Sequence, residues 1–263
     1  MILVVAAALA SPCCTSMGAQ PTTLASCDAI AMAVGVGGDV ETGGWSWEGR
    51  WAGAGDDGGG DVFASVALMG RVAPWLQLGA RAPVTLAAER LDGVTTSTVG
   101  LGDALVWADL QTAWKHPSIL ALEVGFGSQG PGSASPGALV LQVGGRASVD
   151  VGAWRAWGDI MGRVPVYGAG VPEGEVGAVF DRGVGNSRIG LGVGAEMTTG
   201  KVPTFSARFG PSWVFSPSPT DRLLVVLQAG LPISGLGRNA PSRVALALDW
   251  YHVFARTPAT RKP

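Results

Sequence analysis

Charged residues, cysteines and long apolar runs are all scarce in this chain of 263 residues. Only 14% of the residues are charged although 47% are hydrophobic, whereas a typical soluble domain has roughly 25% charged residues. No segment approaches the ~20 consecutive apolar residues that a membrane-spanning helix needs. A hydropathic chain without such segments is typical of a membrane β-barrel, in which apolar residues occupy alternate positions.

Glycine and proline, by contrast, are abundant. The 41 glycines and 17 prolines disfavour long helices. The formal net charge of −2 gives no basis for binding nucleic acid. The composition therefore favours strands over helices.

The first 19 residues are predicted to be a signal peptide, although the usual positive residues before its apolar core are missing. Ile2–Ala10 forms the apolar core, and Met17-Gly18-Ala19 supplies the small residues of a cleavage site. Cleavage there would leave Cys27 as the only cysteine, so no internal disulfide is expected. Leu24-Ala25-Ser26-Cys27 also resembles a lipoprotein cleavage box, but its distance from the apolar core favours an ordinary thiol.

The segment Asp61–Leu86 shows the alternation on which the fold prediction depends. Leu76 and Leu78 share one face of its second half, whereas Gln77 and Arg81 share the other. A period of two residues predicts strands, because successive side chains of a strand point to opposite faces.

The same alternation predicts twelve strands along the chain. They are 43–53, 61–72, 75–90, 98–114, 118–127, 137–149, 153–165, 173–181, 186–198, 203–214, 221–231 and 242–254. Most reach the ~9–11 residues that a tilted strand needs to cross a bilayer. Strand 173–181 has the weakest pattern. It is included because short and long connections alternate along the whole chain only if a strand lies there.

Short connections such as Ala73-Pro74 alternate along the chain with mostly longer ones. Outer-membrane barrels show this alternation between periplasmic turns and outer loops. We therefore predict an all-β fold, a transmembrane antiparallel up-and-down β-barrel of about 12 strands at 43–254. Residues 20–42 are expected to form a periplasmic segment or an extra strand, and 255–263 a tail. The alternative fold is a secreted soluble β-sandwich.

Charged and amide side chains of the predicted strands fall on the parity opposite to the apolar one. Hydrocarbon penalises an arginine by about 2–4 kcal/mol at the bilayer midplane, so this parity is predicted to face a polar lumen. The predicted lumen-lining residues are Glu48, Arg50, Arg71, Gln77, Arg81, Asp103, Asp109, Glu123, Arg146, Arg155, Asp159, Arg163, Arg188, Glu196, Arg208, Arg222, Arg243 and Asp249. They would either fill a narrow barrel with ion pairs or make its lining ion-selective.

Several aromatic residues lie on the apolar parity near strand ends. Tryptophan is favoured at bilayer interfaces because its ring is apolar and its N–H can be hydrated. The predicted aromatic girdle comprises Trp45, Trp47, Trp51, Trp114, Trp213, Trp250 and Phe254. The alternative role for these side chains is core packing in a soluble sandwich.

Two motifs adjoin each other in the first half of the predicted barrel. The first has Leu76, Leu78, Gly79 and Pro83, and the second has Gly100, Gly102 and Asp103. In this order they resemble the motifs of the transporter barrels named after the meta-pathway of phenol degradation. The resemblance extends from Gly70 to about Arg163, and the Ala73-Pro74 turn departs from the acidic and basic residues usual in that family. It implies an outer-membrane barrel that passes small hydrophobic or aromatic compounds.

No enzymatic constellation is found. The two histidines, His116 and His252, lack an evident nucleophile or acid partner. Gly100–Asp103 lacks the third glycine of a dinucleotide-binding motif. The acidic loop Gly55–Asp61 could supply calcium ligands, but a solvated loop is favoured. No enzymatic activity, cofactor, catalytic residue or metal site is therefore predicted.

The predicted function is passive diffusion of small molecules through a monomeric channel in a Gram-negative outer membrane, and the resemblance above implies hydrophobic or aromatic solutes. The expected partners are membrane lipid, a small solute and the outer-membrane assembly machinery, with no nucleic acid. The alternatives are a structural or surface-binding barrel that transports nothing, and the secreted soluble β-sandwich.

Overall fold

The computed structural model describes residues 28–42, 58–73, 75–91, 94–113, 119–130, 137–199, 204–218, 220–232 and 242–256. The regular structure of these residues is all β. The strands are β1 (Asp28–Thr42), β2 (Gly58–Ala73), β3 (Leu76–Leu91), β4 (Val94–Leu101), β5 (Ala104–Ala113), β6 (Ile119–Ser128), β7 (Leu139–Val151), β8 (Trp154–Tyr167), β9 (Glu173–Val184), β10 (Ser187–Thr198), β11 (Thr204–Phe215), β12 (Asp221–Pro232) and β13 (Ser242–Arg256). None of the described residues forms a helix long and apolar enough to cross a membrane.

All these strands belong to one antiparallel sheet, which closes because β1 pairs with both β2 and β13. β4 and β5 share one place in the sheet, since both pair with β3 along different halves of its length. The chain leaves the ladder between them at Gly102, whose N–H donates to the Pro83 carbonyl at 2.9 Å. The thirteen strands thus form a twelve-position up-and-down barrel. The predicted barrel is confirmed, and the soluble β-sandwich is wrong because a sandwich requires two separate sheets.

The barrel has two distinguishable ends. At the turn end, short connections join β7 to β8 and β9 to β10, and they use Gly152 (φ +61°) and Gly185 (φ +59°). Both glycines occupy the left-handed region, which other residues adopt at a steric cost. The loop end is the opposite one, where β8 is followed by 168–172 and β10 by 199–203.

The first strand of the barrel is formed by Asp28–Thr42, which takes the place that the sequence pattern gave to 43–53. The segment 43–53 itself lies outside the described residues. The inward positions of β1 include Ala31, Ala33 and Gly35, which are small residues that hardly differ in hydropathy from the outward ones. The alternation of β1 is therefore hard to see in the sequence.

The remaining strands lie close to their predicted positions, including β9, whose pattern was the weakest. The predicted strand 98–114 is interrupted at Gly102 and Asp103 and begins earlier, at Val94.

Strand β6 shows how the sequence separates the two faces of the barrel. Leu120, Leu122 and Val124 are between 45% and 50% exposed, whereas Ala121 and Glu123 are 3% and 0% exposed. Since the sheet is closed, the buried parity faces the interior and the exposed apolar parity forms the outer surface.

Candidate functional site: the charged interior of the barrel

The structure buries most of the predicted lumen residues. Those with buried side chains are Gln77, Arg81, Asp109, Glu123, Arg146, Arg155, Asp159, Arg188, Arg208, Arg222 and Asp249. Those with intermediate exposure are Arg71, Asp103, Arg163 and Glu196. Glu48, Arg50 and the side chain of Arg243 lie outside the described part of the chain. That these side chains line a lumen stays a prediction.

An ion triad lies at the turn end, on the strands next to the tight glycine turns. Asp181 on β9 accepts hydrogen bonds on one carboxylate oxygen from Arg155 Nε at 3.0 Å and Arg155 Nη2 at 2.7 Å. Its other oxygen accepts from Arg188 Nε. Arg188 Nη2 also approaches the Ala153 carbonyl at 3.5 Å. The carboxylate therefore links β8 and β10 across β9, and the triad keeps one excess positive charge.

A second group lies midway along the barrel. Glu123 on β6 pairs with Arg146 on β7 at 2.6 Å between Oε2 and Nη2, and also accepts a hydrogen bond from Gln142. Asp109 on β5 is the cross-strand partner of Glu123 and accepts a hydrogen bond from Trp107 Nε1 at 3.3 Å. The two carboxyl groups are thus held together beside one guanidinium.

A third group, nearer the loop end, continues from the second. Arg163 on β8 donates from Nε to Gln142 Oε1 at 2.9 Å and pairs with Glu173 at 3.4 Å and Glu175 at 3.9 Å. Arg208 on β11 then pairs with Glu175 at 3.5 Å.

The same group reaches β10 and β6. Arg208 pairs with Glu196 on β10 at 3.1 Å. Gln129, just beyond β6, donates to Glu173 at 3.0 Å. Together the second and third groups form a polar track, which we define as Asp109, Glu123, Gln142, Arg146, Arg163, Glu173, Glu175, Glu196 and Arg208. It crosses the seven consecutive strands from β5 to β11.

Two apolar clusters are also buried in the interior. The first joins Trp157 on β8 and Val179 on β9 to Val214, Leu224 and Val226 on β11 and β12. The second joins Trp107 on β5 to Ala31, Ala67, Met69, Tyr251 and Val253 on β1, β2 and β13. Each cluster connects strands that are not neighbours in the sheet, so apolar side chains extend across part of the interior.

Sequence reasoning missed several polar residues of this interior. They are Asp39, Gln129, Gln142, Glu173, Glu175 and Asp181. A signal was present on β7, because Gln142 occupies the same parity as Arg146, which was identified. No charge was identified on β9, whose weak pattern hid Glu173, Glu175 and Asp181.

The outer face carries aromatic residues near the turn end. Trp213 stacks with Phe215 at 5.7 Å between centroids, and His252 contacts the ring of Phe254 at 4.8 Å. Trp250 lies on the same outward face of β13. Trp154, which the sequence analysis did not include, is exposed beneath the Arg182 guanidinium. Trp45, Trp47, Trp51 and Trp114 lie outside the described residues, and the aromatic girdle stays a prediction.

Within the described ranges, no group of three His, Cys, Asp or Glu side chains is arranged to hold a metal ion.

No protein-family model matches the chain, and no curated protein matches it in sequence. Several solved structures are similar in fold. The translocator domain of the autotransporter NalP from Neisseria meningitidis has a TM-score of 0.56 at 12% identity, covering 86% of this chain and 88% of that one. The β domain of the Bordetella autotransporter BrkA has a TM-score of 0.55 at 12% identity, covering 85% of this chain and 100% of that one. The NanC porin has a TM-score of 0.52 at 6% identity, covering 84% of this chain and 98% of that one. The chain therefore has the fold of outer-membrane β-barrels, one that translocators and porins share.

Proposed function

We propose that this protein is an outer-membrane channel that lets small molecules diffuse passively. The polar track is the observation that supports this proposal. A continuous series of charged and amide groups runs along one wall of the interior, from Asp109 to Arg208. Such a wall offers hydrogen-bonding partners to a hydrated solute, while the apolar outer surface fits the lipid.

The proposed route is narrow. Glu123 and Asp109 are fully buried and Arg146 nearly so, as expected when side chains fill the space between strands. Interiors widen with strand number, from filled ~8-strand barrels to ~16-strand porins with aqueous channels. A twelve-position barrel lies between these, so we expect a smaller conductance than that of a wide porin.

The chemistry of the interior supports a solute with both polar and apolar parts. Trp157 of the first apolar cluster lies on β8, as does Arg163 of the polar track. A hydrophobic or aromatic compound with a polar group could contact both surfaces. The resemblance of residues 70 to 163 to the meta-pathway barrels points to the same class of solute.

Planar-bilayer recording of the refolded protein tests the channel. We expect discrete conductance steps that change in size or ion preference in Arg163→Gln, which alters the polar track. The control is Val164→Ala, one residue away and on the outer face. If refolded protein gives neither conductance nor solute flux in vesicles, the transport proposal is wrong and the fold is unaffected.

A second candidate function is a barrel that transports nothing and acts structurally or through its outer loops. The two interior apolar clusters favour it, because they occupy space that a pore would need. Trimming the connections 128–136 and 232–241 tests this function. It gains support if trimming abolishes a surface activity that Arg163→Gln leaves intact.

Localisation is part of the proposal. We infer export by the predicted signal peptide, insertion by the outer-membrane assembly machinery and a monomeric barrel. Membrane fractionation combined with heat-modifiable gel migration checks this, since a folded barrel migrates differently before and after boiling. Recovery in the soluble periplasm would contradict it.

A further inference from the structure

Interior carboxylates are concentrated at the loop end of the barrel. Among the described inward-facing side chains, five carboxylates lie within three residues of a strand's loop end. A sixth, Asp103 at the β4–β5 junction, accepts a hydrogen bond at 2.9 Å from the N–H of Gly130, just beyond the loop end of β6. The six are Asp39, Asp61, Asp103, Glu173, Glu175 and Glu196. The first arginines met further inward are Arg163 and Arg208. Even with these two included, the described side chains of this end keep an excess of four formal negative charges.

Interior arginines are concentrated at the turn end. Arg71, Arg155, Arg188 and Arg222 lie within three residues of the turn end of their strands, and Asp181 is the carboxylate found there in the same described set. The triad of Arg155, Asp181 and Arg188 stays positive as a unit. The described side chains of the turn end therefore keep an excess of three formal positive charges.

From this separation of charge we propose that the barrel rectifies ionic current, a property that rests on the proposed channel function. Charged walls of low dielectric constant concentrate counter-ions. Cations would accumulate at the loop end and anions at the turn end. One polarity of voltage drives cations inward from the loop end and anions inward from the turn end. The concentration of mobile ions in the passage then rises. The opposite voltage draws both kinds away from the centre and depletes it.

The polarity follows from the orientation of the two ends. When the loop side is positive, cations enter past Glu173 and Glu175, and anions enter past Arg71 and Arg222. The larger current is therefore expected with the loop side positive. Reversing the voltage makes each ion enter through the end that repels it, and the current falls.

Single-channel current–voltage curves at 0.1 M and 1 M KCl test the proposal without changing the protein. The Debye length falls from about 10 Å to about 3 Å over this range, so fixed charges act over a shorter distance at high salt. At 0.1 M we expect the currents at equal and opposite voltages to differ by about twofold or more. At 1 M the ratio should approach one, whereas rectification caused by moving loops would persist.

The orientation of each inserted channel can be determined independently. Asn186→Cys, with the native cysteines replaced by serine, places a thiol in the β9–β10 turn. The chamber from which a bulky maleimide reagent changes the current identifies the turn side. A larger current with the turn side positive would overturn the proposal.

Two neutralising variants, each with a control on the adjoining outer face, link the effect to the charges. Arg71→Gln and Glu173→Gln should each lower the current ratio, whereas Val72→Ala and Val176→Ala should leave it unchanged. Linear curves at 0.1 M would overturn rectification alone and leave the channel proposal standing. The absence of any conductance would overturn both.

Discussion

Glu123 and Arg146 form an ion pair at 2.6 Å in the interior of the barrel, with the side chains 0% and 9% exposed. Removing one partner of a buried pair leaves an uncompensated charge and costs about 3–5 kcal/mol. We therefore expect Arg146→Gln to lower the free energy of unfolding by this amount, measured by urea unfolding in lipid vesicles. The double variant Glu123→Gln/Arg146→Gln should recover much of the loss.

The control for this pair is Val149→Ala, on the same strand but on the outer face. It should change the unfolding free energy much less. An Arg146→Gln protein as stable as the wild type would show that the ion pair has no energetic role.

Gly79 is required by the ring that lies across from it. Gly79 on β3 is the cross-strand partner of Trp107, and a Cβ at position 79 would overlap the indole. Overpacking of this kind costs about 1–3 kcal/mol. We expect Gly79→Ala to be destabilised by this amount in urea unfolding, and less so in a Trp107→Ala background.

Gly70 offers a matched control, because a Cβ added there has no atom within 4 Å. Gly70→Ala is therefore expected to be neutral or slightly stabilising. Equal costs at the two glycines would refute a specific clash with Trp107.

A charge on the outer face should cost most near the middle of the membrane. Leu122, midway along β6, is 50% exposed, and Val151, at the turn end of β7, is 70% exposed. Arginine costs about 2–4 kcal/mol at the midplane and about 0–1 near the interface. Leu122→Arg should therefore destabilise the barrel in bilayers far more than Val151→Arg. Similar costs at both positions would show that this surface does not face hydrocarbon.

Trp157 tests whether the apolar clusters restrict the passage. Its ring is 5% exposed within the first interior cluster. Trp157→Ala should lose about 3–5 kcal/mol of stability and, in planar bilayers, increase the conductance. Trp154→Ala changes an exposed tryptophan on the outer face and should leave the conductance unaltered. Unchanged conductance in Trp157→Ala would mean that this cluster does not limit flow.

Most of the strands could be predicted because the two faces of a spanning strand meet different surroundings. On β6 the outward Leu120, Leu122 and Val124 alternate with the inward Ala121 and Glu123, so the period of two is visible in the sequence. β1 was harder to predict, because its inward residues include Ala31 and Gly35, whose hydropathy differs little from that of the outward residues.

The interior polar partners could not be predicted from the sequence. The Arg155–Asp181 pair joins β8 to β9, and Arg208 reaches Glu175 two strands away. Strand tilt and register decide which inward side chains lie at the same height, and neither can be read from alternation alone.

The sequence by itself determined the closed antiparallel architecture and the face on which each charge lies, because placing an unpaired charge in hydrocarbon costs several kcal/mol. Only the tertiary structure decided how those charges are distributed along the barrel. Barrel closure brings Glu173, Glu175 and Glu196 together at the loop end, and Arg155, Arg188 and Arg222 together at the turn end. These residues come from β8, β9, β10 and β12, one or two from each, so the axial separation of charge exists only once the sheet has closed.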